Sequence, residues 1–115
     1  MEPVSSSDNT YFFDPSRKCR TLPTEEIEII VKRTGKVARR AYKAGFDVID
    51  LHGHTGYLTD QFMSEVWNRR TDQYGGSPEN RARFAVECLQ AIKANAPGVT
   101  TSFRISVDHH FEGGR

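Results

Sequence analysis

The 115-residue sequence has few cysteines, no long apolar run and almost no net charge. Its two cysteines, Cys19 and Cys88, form neither a disulfide framework nor a metal-binding knuckle pattern. No stretch approaches the roughly 18 apolar residues that a transmembrane helix needs. The polar residues 1–10 lack the apolar core of a secretory signal peptide. We therefore expect a soluble protein of a reducing, cytoplasmic compartment.

The charge balance also argues against a polyanionic partner. Sixteen lysines and arginines stand against fifteen aspartates and glutamates, which leaves a formal net charge of +1. Proteins that bind nucleic acid or anionic membranes usually carry a clear excess of basic residues. The composition therefore favours neither nucleic acid nor a membrane as a partner. The length alone suits one small domain with a modest core.

The first half of the chain predicts an irregular segment, a helix and a strand. Serines, asparagine and prolines favour turns over residues 1–23. Apolar residues then recur at helical spacing from Thr24, whose hydroxyl can cap the first turn, to Gly45, which suits the left-handed residue that ends a helix. Residues 46–52 follow directly as a predicted strand. This is the order of α/β proteins.

The second half repeats the helix and strand. Residues 58–67 indicate a short helix or packed loop, which leads into a polar loop. Ser77 followed by Pro78 is a typical helix start, and the helix is predicted to run to about Asn95. The alternation over residues 99–107 predicts a second strand.

Polar side chains end both predicted strands. The first strand ends in His52 and its successors, and the second ends in Arg104 and the residues after it, with Asp108, His109 and His110. In parallel α/β architectures the carboxyl ends of the strands line the active face. We therefore expect the functional site where these two strand ends meet.

One interpretation of the first strand end is a metal site. His52 and His54 form a His-x-His pair whose imidazoles point to one face of a strand. Neutral imidazole is a good zinc ligand, and three ligands with an open position activate water. Metal-dependent amidohydrolase barrels begin their zinc site with such a pair, which His109 or His110 would have to complete. A metal-dependent hydrolase is thus one hypothesis.

A longer motif supports a different interpretation. Residues 52–58 read HGHTGYL, residues 61–64 read QFMS, and residues 68–84 read NRRTDQYGGSPENRARF. Together with AGFD at 44–47 and FRIS at 103–106, they closely resemble the old yellow enzyme family of FMN-dependent ene-reductases. The resemblance spans roughly residues 22–107.

The resemblance implies an α/β fold that is part of a TIM (β/α)8 barrel. Residues 24–115 would form a central segment of about two strands and two helices, after the irregular residues 1–23. A complete barrel needs about 250 residues. We therefore expect the remainder of the barrel as this segment's partner, and we predict that the isolated chain neither binds FMN tightly nor reduces alkenes.

The resemblance also implies which residues carry the chemistry. In the family, NAD(P)H reduces FMN, and the reduced flavin passes hydride to the β-carbon of a small α,β-unsaturated substrate. His52 corresponds to a residue that hydrogen-bonds the substrate carbonyl, and Tyr57 to the proton donor for the α-carbon. Arg104 corresponds to the arginine that faces the flavin pyrimidine and favours the anionic reduced form.

This sequence departs from the family pattern beside the first histidine. Thr55 stands where the family usually has His or Asn, and His54 stands where a small residue is common. Threonine offers a single hydroxyl on a short side chain, which alters the clamp on the carbonyl. We expect His52, His54 and Thr55 to contact the substrate. A non-catalytic truncated remnant remains a third hypothesis.

The block at residues 68–84 is interpreted as architecture rather than chemistry. Asp72, paired with Arg70, Arg81 or Arg83, would hold the long loop together with the glycine pair that precedes the second helix.

Overall fold

The computed structural model describes residues 2–109 of the protein, so His110 lies outside the described residues. The chain alternates short strands and helices in the predicted α/β order. In sequence order the elements are β1 (Val4–Ser5), β2 (Arg20–Thr21), α1 (Thr24–Lys43), β3 (Val48–Gly53), α2 (Leu58–Met63), α3 (Pro78–Asn95) and β4 (Thr100–Ile105). None of the helices within residues 2–109 has the length and apolarity that crossing a membrane requires.

The two predicted strands pair directly. Strands β3 and β4 are parallel, and their register runs from Val48 opposite Thr100 to Gly53 opposite Ile105. Side chains alternate between the two faces of a sheet. Ile49 and Leu51 therefore pack toward the helices, whereas the other face carries the polar side chains of β3 and β4. His52 lies opposite Arg104, so both strands present a predicted site residue at the same end.

Helices α1 and α3 cover the sheet and enclose the core. The larger cluster of buried side chains comprises Leu22, Ile27, Phe62, Tyr74, Phe84 and Cys88, and a smaller one comprises Ala38, Ile92 and Ala96. Gly35 lies where the two helices approach most closely. A β-carbon at this position would stand 2.7 Å from Nδ2 of Asn95 and 3.3 Å from the carbonyl oxygen of Ala91. The glycine that weakens α1 by propensity thus permits its packing.

The helix ends agree with the sequence at two positions and differ at one. Ser77 caps α3 by accepting the Asn80 N–H, and Gly45 follows α1 with a φ of 84°. The predicted cap at Thr24 is wrong, because Thr24 is already helical and Pro23 precedes it in extended conformation. After Arg70, the nearby Thr24 hydroxyl also helps to lower the pKa of Asp72.

The segment before α1 is more ordered than the turn-rich composition predicts. Val4 pairs with Arg20 and Ser5 with Thr21 in a short parallel ladder, and Thr10 forms an antiparallel bridge with Lys18. Two-residue strands are too short to produce a periodic pattern.

Candidate active site

The loop between β3 and α2 carries three of the predicted site residues, His54, Thr55 and Tyr57, and His52 lies near the end of β3. Strand β3 ends at Gly53, and the chain then passes through left-handed backbone at Thr55, with φ 55°, and Gly56, with φ 74°. Thr55 is the only non-glycine residue with positive φ among residues 2–109. A β-branched residue disfavours this conformation, so the surroundings must hold it.

Three predicted side chains form a ring cluster at this strand end. The rings of His52 and His54 lie 4.0 Å apart between centroids, and the ring of Tyr57 meets His52 edge-on at 5.1 Å. His52 therefore lies between the other two rings. Tyr57 is 55% exposed, so it lies at the surface rather than in the core.

His54 has one nitrogen bonded and one unbonded. Its Nδ1 lies 3.0 Å from Oγ1 of Thr55, whereas no described group bonds its buried Nε2. Burial, followed by the charges of His52 and Arg104, lowers the pKa of His54 below its usual 6.5. A neutral ring that accepts the Thr55 hydroxyl at Nδ1 carries its proton on Nε2. In this tautomer the N–H at Nε2 has no acceptor among residues 2–109.

Arg104 lies on the polar face of the sheet, where the carboxylate of Asp50 holds it. Its Nη2 is 2.5 Å from Oδ2 of Asp50, and the hydroxyl of Ser102 donates to the other oxygen of that carboxylate. The Ser102 hydrogen bond, followed by Arg104, lowers the pKa of Asp50. The Arg104 side chain is 60% exposed, so its charge remains accessible.

Asp50 and Ser102 were missed by the sequence analysis, although a signal was present. Each stands two positions before a predicted site residue on its own strand, His52 and Arg104 respectively. Residues at this spacing share one face of a sheet. Polar side chains at these positions therefore indicate the site as well.

His109 lies against Asp60 and Trp67. Its Nε2 is 2.8 Å from Oδ2 of the buried Asp60, and its ring meets Trp67 edge-on at 5.1 Å. Within residues 2–109 no group of three or more His, Cys, Asp or Glu side chains is arranged to hold a metal ion. The metal-dependent hydrolase hypothesis finds no support in this part of the chain.

The block at residues 68–84 contributes contacts that hold the fold. Nδ2 of Asn68 donates to the carbonyls of Phe62 and Tyr74 at 2.6 and 2.7 Å. Of the arginines considered for Asp72, it is Arg70 that binds this carboxylate, at 2.6 Å. Arg70 also donates to the carbonyls of Ser6 and Leu22, and it lowers the pKa of Asp72. These contacts support the architectural interpretation.

Known proteins match nearly the whole chain. The model of the NADH:flavin oxidoreductase / NADH oxidase family matches residues 2–115. The 12-oxophytodienoate reductase 1 of Oryza sativa subsp. japonica is 44% identical over 108 residues, which cover 90% of this chain and 28% of that protein. The cinnamate reductase of Clostridium sporogenes is 50% identical over 91 residues, covering 78% of this chain and 14% of that protein.

A solved structure shows the same arrangement of elements. The old yellow enzyme homologue from Zymomonas mobilis superposes with a TM-score of 0.86 and 33% identity, covering 98% of this chain and 34% of that one. This chain therefore spans about a third or less of the length of the proteins that it matches.

Proposed function

Because this chain belongs to the NADH:flavin oxidoreductase / NADH oxidase family, we propose that it supplies one wall of the active site of an FMN-dependent reductase. Its old yellow enzyme resemblance and its place in a TIM-barrel fold are confirmed. The proposed reaction reduces a C=C bond conjugated to a carbonyl, with NAD(P)H as the reductant. The observation that carries the proposal is the cluster of His52, His54 and Tyr57 beside Arg104 at one end of the sheet.

The residues present fit one side of a flavin. FMN, when bound, would supply the hydride that originates from NAD(P)H. The guanidinium of Arg104 is exposed on the polar face of the sheet, and Asp50 holds it there. A fixed positive charge suits a ring system whose reduced form is an anion. We assign Arg104 to this contact.

The two histidines would bind the substrate oxygen. Hydrogen-bond donors aimed at a carbonyl stabilise the negative charge that develops when hydride adds to the conjugated alkene. An oxygen acceptor bound beside His52 could hydrogen-bond Nε2 of His54. Without such a ligand this buried nitrogen has no hydrogen-bond partner in the described chain, which is unfavourable. Thr55 bonds His54 Nδ1 and so acts on the substrate by fixing the protonated nitrogen. A direct contact of Thr55 with the substrate stays a prediction.

Tyr57 would donate the proton that completes the reduction. A phenol hydroxyl can donate a proton, as this role requires. The edge-on contact with His52 places its ring within the same cluster as the proposed carbonyl clamp. One end of the substrate would then meet the histidines while its α-carbon faces the tyrosine.

The remaining partner would be the rest of the barrel. Two parallel strands cannot close into a barrel, and strands β3 and β4 are the whole of their sheet in residues 2–109. The cytoplasmic location stays a prediction. It is supported by Cys19 and Cys88, which are buried and form no disulfide in the described chain.

The test is Tyr57→Phe in a complete flavoenzyme, made by replacing the matching segment of the Zymomonas mobilis homologue with this sequence. Stopped-flow absorbance separates flavin reduction by NAD(P)H from flavin reoxidation by the alkene. We expect alkene reduction to slow by about 100-fold or more, the usual contribution of a general acid, while flavin reduction keeps its rate. Tyr42→Phe, which removes an exposed phenol on α1, is the control. An equal loss in both half-reactions would refute the donor role.

A further inference from the structure

Two side chains of α2 hydrogen-bond the backbone of the loop that carries Tyr57. Oδ2 of Asp60 accepts the N–H of Gly56 at 2.9 Å, and Nε2 of Gln61 donates to the carbonyl of Gly56 at 2.6 Å. Both backbone polar groups of Gly56 are thus bonded to adjacent residues of one helix. We propose that Asp60 and Gln61 are positioning residues that fix Gly56 and thereby the Tyr57 ring. The proposal rests on the proposed function of Tyr57.

The loop depends on these hydrogen bonds because its backbone conformation is unfavourable. Thr55 and Gly56 are both left-handed, and the first of them pays a steric cost for its β-carbon. The helix that follows has only six residues, and within the described chain Tyr57 at its N-cap makes no side-chain capping bond. A helix this short has little stability of its own. Side-chain hydrogen bonds must therefore hold the turn.

The hydrogen bonds around Gln61 fix the orientation of its amide. Nδ2 of Asn9 donates to Oγ of Ser5 at 2.7 Å, so the Ser5 hydroxyl hydrogen is directed to Oε1 of Gln61, at 2.6 Å. The amide nitrogen of Gln61 is then left to face the carbonyl of Gly56. Asn9 also donates to the carbonyl of Trp67 at 2.9 Å. The segment before α1 thus fixes the Gln61 side chain, which holds the Gly56 carbonyl.

Asp60, which accepts the Gly56 N–H, is held in the core. It is fully buried, and the same oxygen that accepts from Gly56 lies 2.8 Å from Nε2 of His109. A buried carboxylate is stable only when such donors surround it. The Trp67 ring underlies the turn, since a β-carbon on Gly56 would lie 3.4 Å from it. The loop after β3 is therefore tied to the segment after β4.

The first test reads the loop in the 115-residue chain itself. Gln61→Met keeps the length of the side chain and removes both of its hydrogen bonds. Ser64→Ala is the control, because Ser64 follows α2, is buried, and has an Oγ that no described group bonds. By NMR we expect Gln61→Met to speed hydrogen exchange at the Gly56 amide by about tenfold, because a turn that has lost the Gln61 bond to the Gly56 carbonyl opens more often and breaks the Gly56 N–H bond to Asp60 when it does. The Overhauser contact between the Tyr57 and His52 rings should weaken as well.

The control defines the contrary result. If Gly56 exchange and the Tyr57–His52 contact in Gln61→Met match those in Ser64→Ala, Gln61 does not hold the loop and the proposal is wrong. If Gln61→Met does not fold, Gln61→Glu takes its place. It keeps the acceptor for Ser5 and sets an oxygen against the Gly56 carbonyl, and the same two readouts decide.

The second test reads the chemistry in the complete flavoenzyme. Gln61→Met should displace Tyr57 and so slow alkene reduction by roughly 10- to 100-fold, as small misplacements of a reacting group do. Flavin reduction by NAD(P)H should keep its rate. Equal slowing of both half-reactions would overturn the positioning role. A loosened loop with alkene reduction at the wild-type rate would instead contradict the proposed donor role of Tyr57. The two failures are therefore distinguishable.

Discussion

Residues 68–84 and residues 52–57 belong to the same stretch of motif, yet their polar groups meet different surroundings. In the first region, Asn68 and Arg70 are buried or nearly so, and each donates to two backbone carbonyls. In the second region, Tyr57 is half exposed and Nε2 of His54 has no partner in the described chain. The polar side chains named in the first region have hydrogen-bond partners within the described chain, whereas in the second region Nε2 of His54 has none.

This difference separates the residues that build the molecule from those available for chemistry. Buried polar groups in folded proteins are almost always hydrogen-bonded, so an exception requires an explanation. Apolar side chains differ between the two parts of the molecule in the same way. Phe62 and Phe84 are buried in the packed part, whereas Val107, just beyond the end of β4, is 81% exposed. The packed region acts as a scaffold, and the open end of the sheet is where a ligand and further structure would complete the protein.

The largest expected effect is in the scaffold, from Phe62→Ala. Phe62 is fully buried, and its ring lies 4.6 Å from that of Phe84 and 6.2 Å from that of Tyr74. Removing a buried phenylalanine typically lowers the free energy of unfolding by about 3–5 kcal/mol. Tyr57→Phe should change it by less than about 0.5 kcal/mol, as surface substitutions do. Urea unfolding measures both, and comparable losses would erase the distinction between the two regions.

The next effect is a pH dependence that originates in the scaffold. Burial, followed by the hydrogen bond to Glu87, raises the pKa of Tyr74 from 10 to about 12. Both states are protonated below pH 10, but between pH 10 and 12 the unfolded chain ionises while the folded one does not. The free energy of unfolding should therefore fall as pH rises through this window.

The control for this pH dependence is Tyr74→Phe. It should flatten the slope of unfolding free energy between pH 10 and 12, as measured by urea unfolding at several pH values. An unchanged slope would show that Tyr74 is not the group responsible.

The smallest expected effect is at the open end of the sheet, from Asp50→Asn. The Asp50–Arg104 pair is largely exposed, and exposed ion pairs contribute little to stability. The free energy of unfolding should fall slightly, and the difference from wild type should shrink as salt is added. Ser102→Ala, which removes the other hydrogen bond to Asp50, is the companion variant. A loss as large as that of Phe62→Ala would place this pair in the scaffold.

The elements that the sequence predicted are those that bury one face. Helices α1 and α3 and strands β3 and β4 show their periods because one side of each packs against the core. The β1–β2 ladder has no such pattern. The cap predicted at Thr24 is one position too late, because Pro23 already holds the extended N-cap conformation and Thr24 is helical.

The site was only partly predictable for a related reason. The strand-end rule and the family resemblance indicated His52, Tyr57 and Arg104. The hydrogen bonds of Asp60 and Gln61 with Gly56 depend on an unusual backbone turn, which propensities do not reveal. The contact between Asp60 and His109 joins segments after two different strands, so no local pattern marks it.

We propose that these residues form one side of a flavin site that other parts of a barrel complete. The most direct measurement is a titration of FMN, followed by flavin fluorescence, into the purified 115-residue chain and into the hybrid with the Zymomonas mobilis homologue. We predict stoichiometric binding by the hybrid and no tight binding by the chain alone. One equivalent of FMN bound by the chain alone, with NAD(P)H oxidase activity, would contradict the account.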